Sequence, residues 1–308
     1  IYIVSESFSS WNGPAGQAPL HAFSGDSDIT VLKLNGKGEY QWHTFYGSST
    51  TDSGYDISVR DTSIVVAGAS KNNWMGPTGQ RPKNSHSGSA LDGAILKLNQ
   101  SGSYLWHSFY GGTSNFTSVY VAKDLSVYAG GYSQAVYKGP SGESPVHTPG
   151  SKSYSSVAHV VKVDGAGAYE WHGFFGAVGS NQFMGITGGP NGDIYLAGYS
   201  DGIWEGNNSI SPVHAYSGAS RDGMVLRLSS SGEYRWHSFY GPAFFRSIVF
   251  DSLSQSIRMA GYSNGNWSGD NGELPLHPYA AGSDIVVLNL QDSGSVNPNS
   301  VFIPFVQK

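Results

Sequence analysis

The sequence predicts an all-β chain: a β-propeller of about five four-stranded blades, each near 64 residues long. Three observations predict it. A Trp-His segment recurs at Tyr40–Gly47, Tyr104–Gly111, Tyr169–Gly176 and Tyr234–Gly241, and its tryptophans Trp42, Trp106, Trp171 and Trp236 stand 64, 65 and 65 residues apart. A second signature, ending in Ala-Gly-Tyr-Ser or a close variant, spans Ile64–Ser70, Val127–Ser133, Ile194–Ser200 and Ile257–Ser263, with a degenerate copy at Ile1–Ser7. A third occurs at Asp28–Leu34, Asp92–Leu98, Val157–Val163, Asp222–Leu228 and Asp284–Leu290. Signatures held in one phase mark a tandem architecture.

Each copy predicts four strands in order. The first is short, as in Tyr55–Val59 or Ser247–Phe250; the second is the Ala-Gly-Tyr-Ser segment, the third the Asp-Gly-x-Val-Leu-Lys-Leu segment, and the fourth the Trp-His segment. All are rich in β-branched and aromatic residues and bounded by turn residues. Third and fourth strands are joined by tight turns such as Asn35-Gly36-Lys37-Gly38. Gly38, Gly102, Gly167, Gly232 and Gly294 share one register there, which predicts a left-handed backbone position. In the fourth strand Tyr40, Trp42 and Tyr46 point one way while His43 and Phe45 point the other, so neither face suits water. A sheet of that kind is covered by copies of itself, and closing a ring removes the uncovered ends.

At 64 residues per copy, 308 residues make about 4.8 units, hence five blades, the first lacking its innermost strand. The tail Ser300–Val306 reads either as the fourth strand of blade five or as the missing strand of blade one, which would close the ring by pairing the N- and C-terminal strands. Residues 1–308 are then a single propeller domain. Because the chain opens at Ile1 inside a strand, it is expected to be a piece of a longer exported protein, with any export signal or lipid anchor upstream.

Composition agrees with short strands and narrows the function. Charged residues make up 13% and glycine contributes 42 positions, a poor mix for solvated helices. A net charge of −5 offers no electrostatic case for nucleic acid or anionic lipid as partners. Without cysteine there is no disulfide framework and no thiolate metal site. No apolar run approaches the roughly 18 residues of a membrane span.

Trp74-Met75-Gly76-Pro77, Asp92–Asn99, Trp106–Gly111 and Ala129–Ser133 together carry a Trp-Gly-Pro-type loop, an Asp-led Lys-Leu-Asn strand, a Trp-x-x-Phe-x-Gly strand and a Gly-Tyr-Ser strand. In this the chain resembles the bacterial SBBP-type β-propeller repeats along nearly its whole length. The resemblance implies a propeller in an exported, often cell-surface, bacterial protein, and it brings no shared catalytic residues. Family propellers often have seven blades, against the 4.8 units counted here.

The connections between second and third strands run to roughly 20 residues, and ordered loops of that length usually carry function. Aligned, they show an aromatic at Trp11, Trp74, Tyr137, Trp204 and Trp267, a glycine two positions later, and a proline after eight (Pro19, Pro82, Pro145, Pro212, Pro275). Ten positions after the aromatic come His21, His147, His214 and His277, with Asn84 in the second copy. Two readings stand open. The aromatics are exposed platforms for a sugar ring or a partner's side chains, with the histidines as ligand contacts; or each folds back as a lid, with the histidine bonding its own loop.

The strand histidines His43, His107, His172 and His237 read as hydrogen-bonded core residues. No metal site is expected, because ligands from different copies do not converge; a calcium site at Asp26-Ser27-Asp28 lacks its carboxylates in the third copy. Non-repeating charges on the long-loop face (Asp52, Asp56, Glu143, Glu205, Arg221 and Arg246) are where an enzyme would keep its acids and bases, yet no acid–base couple or phosphate loop is recognisable. Asn115-Phe116, Gln182-Phe183 and Phe244-Phe245 read as partner contacts or as rim packing. The expected function is a non-enzymatic binding module, adhesin-like or binding an extracellular protein or glycan through the long-loop face, without catalytic residues or cofactor. Alternatives are a passive scaffold or spacer and a secreted glycan hydrolase with its site at the axial mouth.

Overall fold

A computed structural model describes residues 1–150, 153–269 and 272–291. The described residues are all-β: eighteen strands, two single-turn 3-10 segments and no α-helix. The strands group into several sheets, none closed into a barrel. Two compact units divide the chain, one of residues 1–143 and 161–170, the other of residues 144–160 and 171 onward.

In the first unit, β1 (Tyr2–Ser7), β2 (Asp28–Leu34) and β3 (Tyr40–Tyr46) form a three-stranded antiparallel sheet. Next come β4 (Asp52–Arg60), β5 (Ser63–Ser70), β6 (Asp92–Asn99) and β7 (Tyr104–Gly111), paired in that order as a four-stranded antiparallel sheet. The hairpin of β8 (Ser114–Val121) and β9 (Val127–Ser133) completes the unit, together with the last residues of β10 (Tyr154–Val163).

The second unit takes the start of β10 and most of β11 (Tyr169–Phe175), which pairs with it. Its four-stranded antiparallel sheet is β12 (Gly179–Gly188), β13 (Ile194–Ser200), β14 (Asp222–Leu228) and β15 (Tyr234–Tyr240). A short parallel pairing joins β12 to β10 at Tyr154–Gly179 and Ser156–Ser180. The last sheet is β16 (Ala243–Asp251), β17 (Ser256–Ser263) and β18 (Asp284–Gln291). The tail Ser300–Val306, the strand pairing it would supply and Gly294 lie outside the described residues.

Strand β5 shows why both faces are apolar: every residue from Ser63 to Ser70 is buried. Its side chains alternate between two cores. Val65 and Ala67 join Ile95, Tyr110, Phe116 and Val121 on one side, while Ile64 and Val66 join Val31, Tyr46, Leu96 and Phe109 on the other. In the second unit, Tyr195, Ala197 and Val225 of one sheet meet Phe245, Ile248 and Met259 of the next. Each fully buried large side chain contributes about 1.5–3 kcal/mol, so stacked sheets stabilise one another through many such pairs.

The hairpin glycines behave as their register predicts: φ is 82° at Gly38, 81° at Gly102, 84° at Gly167 and 83° at Gly232. Their lack of a side chain also serves the tryptophans. A Cβ at Gly102 would stand 3.2 Å from the Trp42 ring, and one at Gly167 2.8 Å from Trp106, while Trp106 Nε1–H donates to Gly165 C=O at 3.3 Å. In the second unit Trp171 covers Gly232 and donates to Ser230 C=O at 3.1 Å. Trp42, Trp106 and Trp171 thus each seat on the turn of the following copy, which accounts for their fixed spacing.

Candidate functional site

The long loops are anchored by a three-residue assembly. His43 Nε2 lies 2.9 Å from the Trp11 carbonyl and His43 Nδ1 2.7 Å from the Tyr40 hydroxyl. His107 repeats this with Trp74 (3.1 Å) and Tyr104 (2.7 Å), and His237 with Trp204 (3.1 Å) and Tyr234 (2.7 Å). A carbonyl only accepts, so Nε2 carries the hydrogen and Nδ1 accepts from the tyrosine. Burial pushes His107 down to about 4 and His237 to about 3, so these two rings are neutral. The indole of each loop lies flat on the imidazole: Trp11 on His43 at 3.8 Å, Trp74 on His107 at 3.6 Å, and Trp204 on His237 at 3.7 Å.

These contacts make Trp11, Trp74 and Trp204 lids. Trp74 and Trp204 are buried, at 6% and 4% exposure, and Trp11, Tyr137 and Trp267 are half-buried; none of the five stands out as an open platform. Of the two open readings, the lid describes Trp11, Trp74 and Trp204: an indole stacked on a buried imidazole has lost the face a sugar ring would need.

The loop histidines act as staples. His21 Nδ1–H donates to Phe45 C=O at 2.7 Å, His214 to Phe239 C=O at 2.5 Å, and His147 to Phe174 C=O. Each ring then stacks on the residue that follows, Tyr46, Tyr240 or Phe175. Asn84 replaces histidine because its amide reaches the same carbonyl, Phe109 C=O, at 2.6 Å. His277 is exposed.

One place gathers several of the singled-out residues. In the second unit a cleft of about 640 Å³ opens between residues 145–150 and 203–209, with His147, Thr148, Trp204, Glu205, Asn207 and Asn208 in its wall. A hollow of about 270 Å³ shares Val146, Asn207 and Asn208 with it and extends to Ile210 and Glu233. Asn208 and Ser209 hold φ of 56° and 59°, a left-handed conformation that non-glycine residues seldom adopt and that clusters at functional sites. His147 and Trp204 come from loops of successive copies and both pack on Phe175, at 4.5 and 6.2 Å; His21 and Trp74 meet on Tyr46 and His214 and Trp267 on Tyr240 in the same way.

Most of the singled-out charges have structural partners. Asp28, Asp92 and Asp222 accept from Ser24, Ser87 and Ser217, each taking that serine's backbone N–H and hydroxyl. The Ser-Gly-x-x-Asp type of lead is thus a cap on the entry to the third strand, with Asp28 as the acceptor in the first copy. Among the described residues no group of three or more His, Cys, Asp or Glu is placed to hold a metal. Asp52 is buried, accepting from Ser48 N–H (2.7 Å), Ser48 Oγ (2.8 Å) and Ser70 Oγ. Burial pushes its carboxyl up to about 6, with the Asp28 charge adding to the rise. Asp56 accepts from Val119 N–H at 2.8 Å, tying β4 to β8, and Glu143 accepts from Ser141 N–H at 2.8 Å within its turn.

Sequence reasoning missed a device in the innermost strands. β4, β8, β12 and β16 each carry a β-bulge at one register, where the unpaired residue is Tyr55, Thr117, Met184 or Arg246. Opposite each stands a glycine of the second strand, Gly68, Gly131, Gly198 or Gly261. A Cβ there would lie 2.0, 1.9, 1.9 or 1.8 Å from a carbonyl oxygen of the bulged strand. The glycine of the Ala-Gly-Tyr-Ser signature lets the bulge form, and its recurrence in four of the five copies was the available signal. Bulges re-aim side chains and are enriched beside active sites. The adjoining Phe116, Phe183 and Phe245 are fully buried, so the partner-contact reading fails for them; rings of Phe116 and Phe245 fill the space that a side chain at Gly93 or Gly223 would need.

No model of a known protein family matches the chain, and no curated protein matches it. Among solved structures it is similar to a protein of unknown function from Bacteroides caccae, at 8% identity over 99% of this chain and 93% of that one, with a TM-score of 0.30. That likeness is too slight to carry any functional argument.

Proposed function

We propose that this chain is a ligand-binding module of an exported bacterial protein, folded as a β-propeller of about five blades related to the SBBP-type repeats. Stacked antiparallel sheets with two-sided cores support the propeller reading. The ligand site is the cleft between residues 145–150 and 203–209, and its occupant is a saccharide or a short protein loop. The cleft itself carries this reading: about 640 Å³ lies within the usual range for small-ligand sites, and Glu205, Asn207, Asn208 and Thr148 offer hydrogen-bonding groups beside Ile203. Recognition runs through these polar groups rather than through aromatic platforms.

The test is glycan-array and extracellular-matrix binding by the intact chain and by a Glu205→Ala, Asn207→Ala variant. Binding weakened about tenfold or more, with unchanged thermal stability, is the expected result. A variant that binds as well as the parent sinks the cleft assignment. The spacer reading draws support from the Trp-on-His lids, which tie the loops down without any ligand; absence of binding in every arm favours it.

A further inference from the structure

The second unit holds a ladder of three rings, with one guanidinium over its Tyr199 end and another beside its middle ring, Phe244. Phe244 stacks on Tyr262 at 4.9 Å with the planes 10° apart, and on Tyr199 at 4.4 Å with the planes 28° apart. Arg221 lies over Tyr199 at 4.0 Å, and Arg246 lies over Phe244 at 4.8 Å and within 5.9 Å of Tyr262. The two arginines differ in one respect. Arg221 is gripped by Asp201 through two N–H donors, at 2.6 and 3.2 Å. Arg246 is exposed and makes no ion pair or hydrogen bond among the described residues.

Arg246 owes this position to the bulge in β16: the register passes from Phe245 to Ser247 and leaves Arg246 without a cross-strand partner. The same bulge elsewhere bears tyrosine, threonine or methionine, so the fold requires the bulge but not the charge. Exposed and without an ion pair or hydrogen bond among the described residues, the Arg246 N–H fork is available to a planar bidentate acceptor such as a carboxylate. Beside Tyr199 runs a row of hydroxyl and amide groups, next to the Asp201 carboxylate, which accepts from Ser180 N–H at 3.1 Å and is neutralised by Arg221. Its hydroxyl lies 3.2 Å from Ser180 Oγ, which lies 2.7 Å from Ser156 Oγ, and Gln182 Nε2 reaches both serines at 3.4 and 3.5 Å.

We propose that Arg246 is the carboxylate anchor of a second binding site, whose ligand is an acidic sugar: the carboxylate pairs with Arg246, and the sugar hydroxyls exchange hydrogen bonds with the serine, tyrosine and glutamine row. An uncharged sugar lacks the anchor and an acidic peptide lacks the hydroxyls.

Titration of the intact chain with glucuronate, N-acetylneuraminate, glucose and oligoglutamate, followed by calorimetry and by tyrosine fluorescence, tests the assignment. The expected result is saturable binding of at least one sugar acid, none of glucose, and a loss of about tenfold or more in Arg246→Gln, with the melting temperature unchanged. Arg246→Lys is expected to recover little, because an ammonium cannot supply the fork. Failure of both sugar acids to bind overturns the proposal, as does equal binding by Arg246→Gln. Tighter binding of oligoglutamate than of either sugar acid overturns the sugar assignment. The Glu205→Ala, Asn207→Ala variant should bind sugar acids as the parent does, which keeps this site separable from the loop cleft.

Discussion

The loop lids and the strand bulges are two recurring regions that treat sequence in opposite ways. At the lids, Tyr104, His107 and Trp74 reappear as Tyr234, His237 and Trp204 with the same atoms in contact. At the bulges the backbone recurs while the side chain changes from Tyr55 to Thr117, Met184 and Arg246. A lid uses every polar atom of its histidine, so no other residue serves equally. A bulge asks only for glycine across from it, and leaves its own side chain unconstrained. Positions that the fold requires but does not specify chemically are where one copy can acquire a function that its sisters lack.

The sharpest way to break that comparison is at the lid. Removing His107 leaves the Trp74 carbonyl and the Tyr104 hydroxyl unpaired and the indole unsupported. His107→Ala is expected to cost about 3–5 kcal/mol in urea unfolding of the intact chain. The same histidines set an acid limit. Their folded pKa values, about 4 for His107 and about 3 for His237, lie below the ordinary 6.5, so the unfolded chain takes up protons first. The stability they confer is complete above pH 6.5 and lost as pH falls toward 4. A stability that stays level across this window would show that these imidazoles are not buried neutral.

A smaller loss is expected at the bulge glycine. Gly198→Ala drives a Cβ to 1.9 Å from the Gln182 carbonyl oxygen, so the strands must part or the bulge must flatten, at roughly 2–4 kcal/mol. If Gly198→Ala unfolds at the parent's urea concentration, the steric account of the signature is wrong.

The smallest effect is a gain at Asp52. Its folded pKa of about 6 lies above the ordinary 3.8, so its contribution is most favourable below pH 3.8 and is lost as pH rises through 6. Asp52→Asn should raise stability at pH 7 by roughly 1–2 kcal/mol and leave it unchanged or lower at pH 4. The amide oxygen can take the Ser48 N–H, and its NH2 can donate to Ser70 Oγ, whose own hydrogen reaches Asn72 C=O at 2.7 Å. A loss at pH 7 would mean that Asp52 is ionised there to some benefit.

Much of this fold was readable from the sequence, because each copy restates the same strands, and Gly38, Gly102, Gly167 and Gly232 share one register and hold the left-handed φ it predicts. The core histidines were readable as well, since a polar ring between apolar strand residues must find partners inside. The fate of the loop aromatics was not: Trp74 and His107 are 33 residues apart, and only folding brings them face to face. The bulges were hidden for a related reason. A glycine reveals that something approaches closely, but not which carbonyl or which strand.

Local chemistry and repetition therefore determined, from the sequence alone, that the chain is all-β, where its strands and tight turns lie, and that its sheets are apolar on both faces. Tertiary structure alone decided which aromatics lie covered, which carboxylates are used up by serine caps, and that Arg246 stands beside a stack of rings with no ion pair among the described residues. Strand periodicity and turn geometry act between near neighbours and leave a mark in composition and spacing. Burial and pairing depend on partners tens of residues away, whose meeting is fixed by strand register and sheet stacking.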